Sequence, residues 1–282
     1  MATAGSFPKA TGDLVYLADY NAIQTVIAGV VSTYYGNSIV SATLSGVPVI
    51  TASDMDLLRT DINKAYTHIT GSNSSINDLA AAGLINASDY NAYKTAADYC
   101  ETNKNTVFAA TQLASSVVST SLTSAWNGNH GWTYTYTWAD AAQANYWFNA
   151  GGYFSVDVSG SNSAGSSKDD DWQNNILNVI PTQVYGNTQW DAGTTIDVYE
   201  YGDVSQYTEN FARIEIVKTS ATVLTVTVTI NDADIGDDQL GAGTTGPVDE
   251  DVTTDAAASI TRYHSVDAIT LTNPTPANTS NW

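Results

Sequence analysis

Asp232, Asp234, Asp237 and Asp238 fall within seven residues, and Asp249, Glu250 and Asp251 follow soon after. Carboxylates on two neighbouring loops are the oxygen donors that Ca²⁺ collects, roughly six to eight at a time. These residues are therefore the leading metal-ligating candidates, with calcium as the cofactor they would hold. The EF-hand pattern fails, because Ile235 occupies the third acidic position and no Glu follows at the required distance. Two alternatives stand beside calcium: solvated loop carboxylates, and carboxylates paired to a neighbouring subunit.

Other reactive types are sparse. The histidines are His68, His130 and His264, with no H-E-x-x-H, no pair at i, i+4 and no Cys/His cluster, which argues against a transition-metal site. His130 lies among aromatics and reads as a packed or surface histidine rather than a general base. Cys100 is the one cysteine, so no intrachain disulfide exists, and it reads as a small apolar residue on a helix. The glycine-rich stretches lack the Gly-Lys-Ser/Thr ending of a phosphate cradle. A glycosidase needs two carboxylates facing each other across a sugar, and 7 Trp and 17 Tyr offer stacking surface. The rings, however, fall on the buried-face parity of strands, and the chain lacks the long repetitive parallel-β pattern of a polysaccharide-cleaving spike. The reading is therefore not an enzyme, and no catalytic residue is assigned.

Charge narrows the partners. Against 29 Asp and Glu there are 9 Lys and Arg, a formal net charge of -20. Phosphate-rich partners need clustered cations, so nucleic acid and anionic membrane surfaces are excluded as expectations. Only 13% of residues are charged, so the surface is built largely from hydroxyls and amides, as suits an exposed particle. The opening "MATAGSFPKATG" lacks the basic start and apolar core of a secretory signal, and no stretch is apolar enough for a membrane span. The expected route out of a cell is lysis, within a particle.

Residues that must be positioned need elements, and the first 122 residues supply a repeat. Asp19, Asp54 and Asp89 are spaced 35 and 35 apart, and Leu14/Val49/Leu84, Val15/Ile50/Ile85, Tyr20/Met55/Tyr90 and Asn21/Asp56/Asn91 keep the same frame. Each copy reads as a short extended apolar pair, a polar cap and a helix. Ser53 and Ser88 are the expected caps, with Asp19 in that role in the first copy and the aspartates favouring the positive end of the helix dipole. Helical spacing predicts core stripes: Tyr20, Ile23, Ile27, Val30 and Tyr34; Met55, Leu58, Ile62, Ala65 and Ile69; Tyr90, Tyr93, Ala97 and Cys100. Helices this short are marginal alone and must pack together or on another chain. A fourth helical piece is expected around Val107 to Leu122, making residues 1–122 a helical module for attachment or oligomerisation.

Beyond Leu122 the period changes to 2. His130, Trp132, Tyr134, Tyr136 and Trp138 share one strand face while Gly131 and threonines take the other. Residues 139–149 read as a helix closed by the glycines of "AGG", and at least two of Tyr146, Trp147 and Phe148 are expected to pack on the sheet. Further strands are expected at Tyr153–Ser159, Thr195–Tyr199, Phe211–Thr219, Val223–Ile230 and Ser259–His264, and a helix near Asp169 that Pro181 ends. Strict alternation in "VLTVTVTI" indicates a sheet with one buried face. The closing "TNPTPANTSNW" reads as an irregular arm docked through Trp282. The predicted class is α+β: a three- to four-helix repeat module, then residues 123–282 as an antiparallel sandwich or jelly-roll-like domain with a short inserted helix.

The segment "AWNGNHGWTYTYTWADAAQANYWFNAGGYFSVDVSGS" resembles structural virion proteins of tailed bacteriophages, especially marine and cyanobacterial phages. The matching residues are Trp126, Asn127, Gly128 and His130, then Trp138, Ala139, Asp140, Ala141 and Ala144, then Trp147, Phe148, Asn149, Gly151 and Gly152. "TVTINDADIGDD" and "VDEDVT" resemble the segments that close the same module, and the resemblance covers roughly the C-terminal 160 residues. Trp147 departs from the family's Tyr or Phe. The helical units look like short repeats of phage appendage proteins. The resemblance implies a place in the virion, in a fibre, neck or tail appendage or capsid-associated part, with copies of itself and other virion proteins as partners. The alternative is an adhesin binding a host cell-surface glycan through aromatics of residues 126–138 or loops near Tyr185 and Trp190.

Overall fold

The 35-residue repeat folds as three helices, α1 (Leu17–Ala28), α2 (Ala52–Thr70) and α3 (Ala87–Asn103), each packed against the other two. The computed structural model describes residues 7–46, 49–79, 85–162, 167–203, 207–233, 252–265 and 269–281. Two compact units emerge: Met1–Leu113 with Tyr146–Gly152 and His264–Thr272, and Ala114–Asn145 with Tyr153–Tyr263 and Asn273–Trp282.

In the first unit the caps differ from expectation. The residues before the helices are Tyr16, Thr51 and Asn86, again 35 apart, while Ser53 and Ser88 already lie inside the first turn. The repeated aspartate sits at the third helical position and accepts the backbone N–H of the cap residue: Asp19 from Tyr16 at 2.7 Å, Asp54 from Thr51 at 2.8 Å and Asp89 from Asn86 at 3.1 Å. Thr51 and Asn86 return the bond to the aspartate's own N–H, closing a reciprocal box. The aspartate recurs because it satisfies a donor that the extended entry chain would leave unpaired, and its dipole effect is additional.

A second repeated bond closes the bundle. Asn21 donates to the Leu44 carbonyl at 2.9 Å and accepts its N–H at 2.8 Å. Asn91 makes the same pair with Lys9, both bonds at 2.9 Å. Lys9 and Leu44 are also 35 apart, so the segment before the first helix fills the place that the chain after a third helix would take. The same paired bond thus ties the first and third helices to extended chain. In the second copy the position is Asp56, which cannot donate to a carbonyl. There Arg59 instead bridges Asp56, at 3.8 Å, and Asp78.

The predicted stripes are buried in one core, with one shift. A π-helical turn over Gly29–Tyr34 continues α1 and admits an extra residue. Val31 and Tyr35 are thereby turned inward, and Tyr34 is left half-buried. Gly36, at φ +68°, follows; a side chain there would collide with the Tyr146 ring.

The second unit holds two sheets. Its strands are β1 (Gln112–Leu122), β2 (Gly128–Thr137), β3 (Tyr153–Ser161), β4 (Gln183–Tyr185), β5 (Ile196–Tyr201), β6 (Phe211–Ser220), β7 (Val223–Asp232), β8 (Asp255–Ser265) and β9 (Thr275–Ser280). The orders are β1-β8-β3-β4 and β5-β6-β7-β2-β9, and the pairs β2–β7, β2–β9, β3–β4, β3–β8, β5–β6 and β6–β7 are antiparallel. Trp132, Tyr134 and Tyr136 of β2 and Leu224, Val226, Val228 and Ile230 of β7 point inward. Tyr136 meets Phe154 of the other sheet with ring centroids 4.4 Å apart. The period-2 pattern thus makes a sandwich-like α+β chain, as its alternation requires.

Short helices join the strands. α4 (Ala141–Asn149) starts at Asp140, whose carboxylate accepts the Gln143 N–H at 2.8 Å, and it ends at Gly151 with φ +85°. Trp147 and Phe148 at its tail are fully buried and meet edge-on; that tail counts with the helical unit, where Asn149 donates to the Tyr34 carbonyl at 2.9 Å. α5 (Ser167–Asp171) leads into a second π-helical turn, Trp172–Leu177, that packs on β3 of one sheet and on β5 and β6 of the other; α6 (Asn187–Ala192) follows β4.

Two further expectations are overturned. The piece around Val107 to Leu122 is mainly strand β1, not helix: its serines compete with a helical backbone for hydrogen bonds, and Val117, Val118 and Thr120 favour extended chain. The closing segment is not an irregular arm up to Ser280, because Thr275–Ser280 adds to β2 as β9. Pro276 is tolerated there because an edge strand leaves one row of amides without a partner strand. The expected docking residue Trp282 lies outside the described residues.

Candidate functional site

Of the proposed calcium ligands, Asp232 alone is described; Asp234, Asp237, Asp238, Asp249, Glu250 and Asp251 lie outside the described residues. Asp232 ends β7, is 1% exposed, and its carboxylate lies 2.9 Å from the Lys168 ammonium, itself buried on α5. Its charge is thus already matched by a cation. The neighbouring acids bind backbone. Asp169 accepts the N–H groups of Thr253 at 2.7 Å and Thr254 at 3.0 Å, and Asp171 accepts that of Asp203 at 3.1 Å. In "KDDD", two aspartates therefore fix the chain entering β8 and the turn after β5, a role that the dipole argument did not reveal. Among the described residues, no three His, Cys, Asp or Glu side chains gather as a metal-binding group.

His68 and Cys100 are both buried, and His130 packs against Trp126. His68 is fully buried; its Nδ1 lies 3.4 Å from Ser265 Oγ, and its ring meets Tyr35 edge-on at 4.8 Å. Burial lowers its pKa to about 4. Cys100 is also fully buried, and burial pushes its thiol up to about 12, the opposite of a reactive thiolate. His130 lies 3.0 Å from the Asn127 carbonyl, edge-on to Trp126.

The aromatics proposed for sugar contact are inside. Trp126, Trp132, Tyr134, Tyr136 and Trp138 are all buried, and Tyr185 and Trp190 have no exposed surface. Trp190 donates its indole N–H to Asn145 at 2.8 Å and stacks under the Lys218 ammonium at 4.1 Å. Heavy rings on one strand face fill the layer between sheets, and Tyr185 of β4 and Trp190 of α6, the latter 5.3 Å from the Trp138 ring, are buried as well.

Two surface features remain. On the outer face of β5–β6, Tyr199 and Tyr201 are 38% and 51% exposed and run parallel, centroids 5.8 Å apart and planes 10° apart. Phe211 leans on both at 5.6 and 5.8 Å. Arg213 lies over Tyr199 at 5.0 Å and forks onto Asp197 at 2.7 and 3.0 Å. The alternation of β5 placed Tyr199 on this face, but Asp197, Arg213 and Glu215 join it only through the pairing of β5 with β6.

The second feature is a strand edge. Of the four sheet edges, β4 is three residues long, β9 carries Pro276, and β5 carries Asp197 and Glu200. Each is a recognised guard against pairing with another chain. β1 has eleven residues with neither Pro nor charge, and Val117 stands 64% exposed on it. Sequence reading missed this edge because it took the segment for helix. Comparison of the chain with family models, curated proteins and solved structures finds no match to any of them. Among the described residues, no helix is long and apolar enough to cross a membrane.

Proposed function

We propose that the chain is a structural component of a tailed-bacteriophage virion, part of a fibre, a neck or tail appendage, or a capsid-associated layer, and that it works by assembling with copies of itself and with other virion proteins. The observation that carries this reading is the β1 edge. A long, uncharged, Pro-free edge presents a row of main-chain donors and acceptors ready for another strand, and repetition in a particle converts modest contacts into durable attachment. The sequence resemblance and the excess of buried aromatic surface over reactive groups point the same way. The helical unit suits attachment: Leu14 and Val49, one repeat apart, hold apolar side chains 59% and 68% exposed.

Antibody labelling of intact particles purified from an infected culture tests the proposal. Regular decoration of one particle structure, with the chain present by mass spectrometry in a fixed copy number, is the expected result. Presence in infected cells but not in washed particles would refute it.

A further inference from the structure

We propose that the outer face of β5–β6 is a binding site for a neutral saccharide. This site is separate from the β1 edge on which the assembly reading rests. The strand register lays out three rows across neighbouring strands: Tyr199 beside Arg213 and Thr229, Tyr201 beside Phe211 and Asn231, and Asp197 beside Glu215 and Thr227. Each row runs from the sheet margin inward. Parallel exposed rings stand at the margin, and hydroxyl, amide and charged groups lie beside them.

Three properties of this face select the ligand class. Flat rings with exposed surface bind groups that are apolar on one side and polar at the rim; a pyranose, with C–H faces and equatorial hydroxyls, has that form. Arg213 is engaged by Asp197 and Glu215, so one cation meets two carboxylates and, among the described residues, the face offers no free positive charge to an anionic ligand. The chain's net charge of -20 opposes acidic polymers further. An apolar protein partner would have to desolvate this charged triad, which is costly. Sugar hydroxyls instead donate to the Glu215 oxygen not used by Arg213 and to the remaining lone pairs of the Asp197 carboxylate, and accept from Asn231 and Thr229. Each row from β5 to β7 covers two interstrand spacings, about 10 Å, room for a disaccharide rather than a single ring.

The test is affinity electrophoresis of the full chain through gels containing soluble β-glucan, mannan or galactan, with polygalacturonate as the acidic comparison. At least one neutral polymer should retard the protein. Tyr201→Ala and Tyr199→Ala should each weaken retardation about tenfold, equivalent to ~1.4 kcal/mol, with the melting temperature unchanged. Tyr99→Ala, which removes an exposed ring from the helical unit, should bind as the parent does. The proposal is overturned if no neutral polymer retards the chain, if polygalacturonate alone does, or if the Tyr201 variant binds undiminished. It is equally overturned if the Tyr199 and Tyr201 variants convert an assembly to monomers by native mass, because a second copy then covers this face. The saccharide-binding outcomes do not bear on particle incorporation.

Discussion

Residues at one repeat position carry unequal loads. Asp19 and Asp54 both accept a cap N–H, but Asp19 also lies 2.9 Å from the Lys9 ammonium, with both side chains fully buried. Removing one partner of a buried pair leaves the other charge without compensation, which costs about 3–5 kcal/mol, whereas losing a cap bond alone costs roughly 1. Asp19→Ala should therefore destabilise the chain several-fold more than Asp54→Ala in urea titration; equal losses would show that the ion pair contributes nothing. The repeat was readable from sequence because aspartates recur at fixed spacing, but Lys9 has Leu44 as its counterpart, so no periodicity announced its burial.

His68 gives a pH dependence of definite sign. Burial lowers its folded-state pKa to about 4, while the unfolded chain keeps about 6.5. The unfolded state then takes up a proton first as pH falls, so stability is full above about 6.5 and is lost on descent towards 4. Between pH 7 and pH 5 this amounts to roughly 2 kcal/mol. Urea titrations at the two pH values should show that loss in the parent and a smaller one in His68→Gln. An identical pH dependence in the two proteins would contradict the burial.

At the scale of elements, period and punctuation carried most of the information. β2, β3, β5, β6, β7 and β8 and the three long helices follow from alternation and helical stripes, because each buries one face and the buried face dictates the residue types. The misses have physical causes. β4 is too short to show a period, and β9 contains a proline that disfavours a strand everywhere except at an edge. The polar segment of β1 carries no amphipathic signal of either kind. The π-helical turn after α1 moved Tyr35 into the core in place of Tyr34, a register change that a 3.6-residue period does not contain. Surface sites were the least legible. The rings of Tyr199, Tyr201 and Phe211 come from two strands, and their meeting with Arg213 depends on pairing register, which side-chain alternation alone leaves undetermined.

For the whole molecule, aromatic mass is structural and the surface is mostly neutral and polar. Most tryptophans and tyrosines of the two sheets are buried, Tyr199 and Tyr201 being exposed exceptions, and among the described residues β1 is the sheet edge that carries neither Pro nor charge and is longer than three residues. On the proposed assembly reading, growth is set by the β1 edge. The most direct test is the native mass of the purified full chain beside Val117→Lys/Ser119→Lys, which places two like charges on that edge. The account predicts a defined oligomer for the parent and monomer for the folded variant. A parent that is monomeric at all concentrations, or a variant that assembles as the parent does, would contradict it.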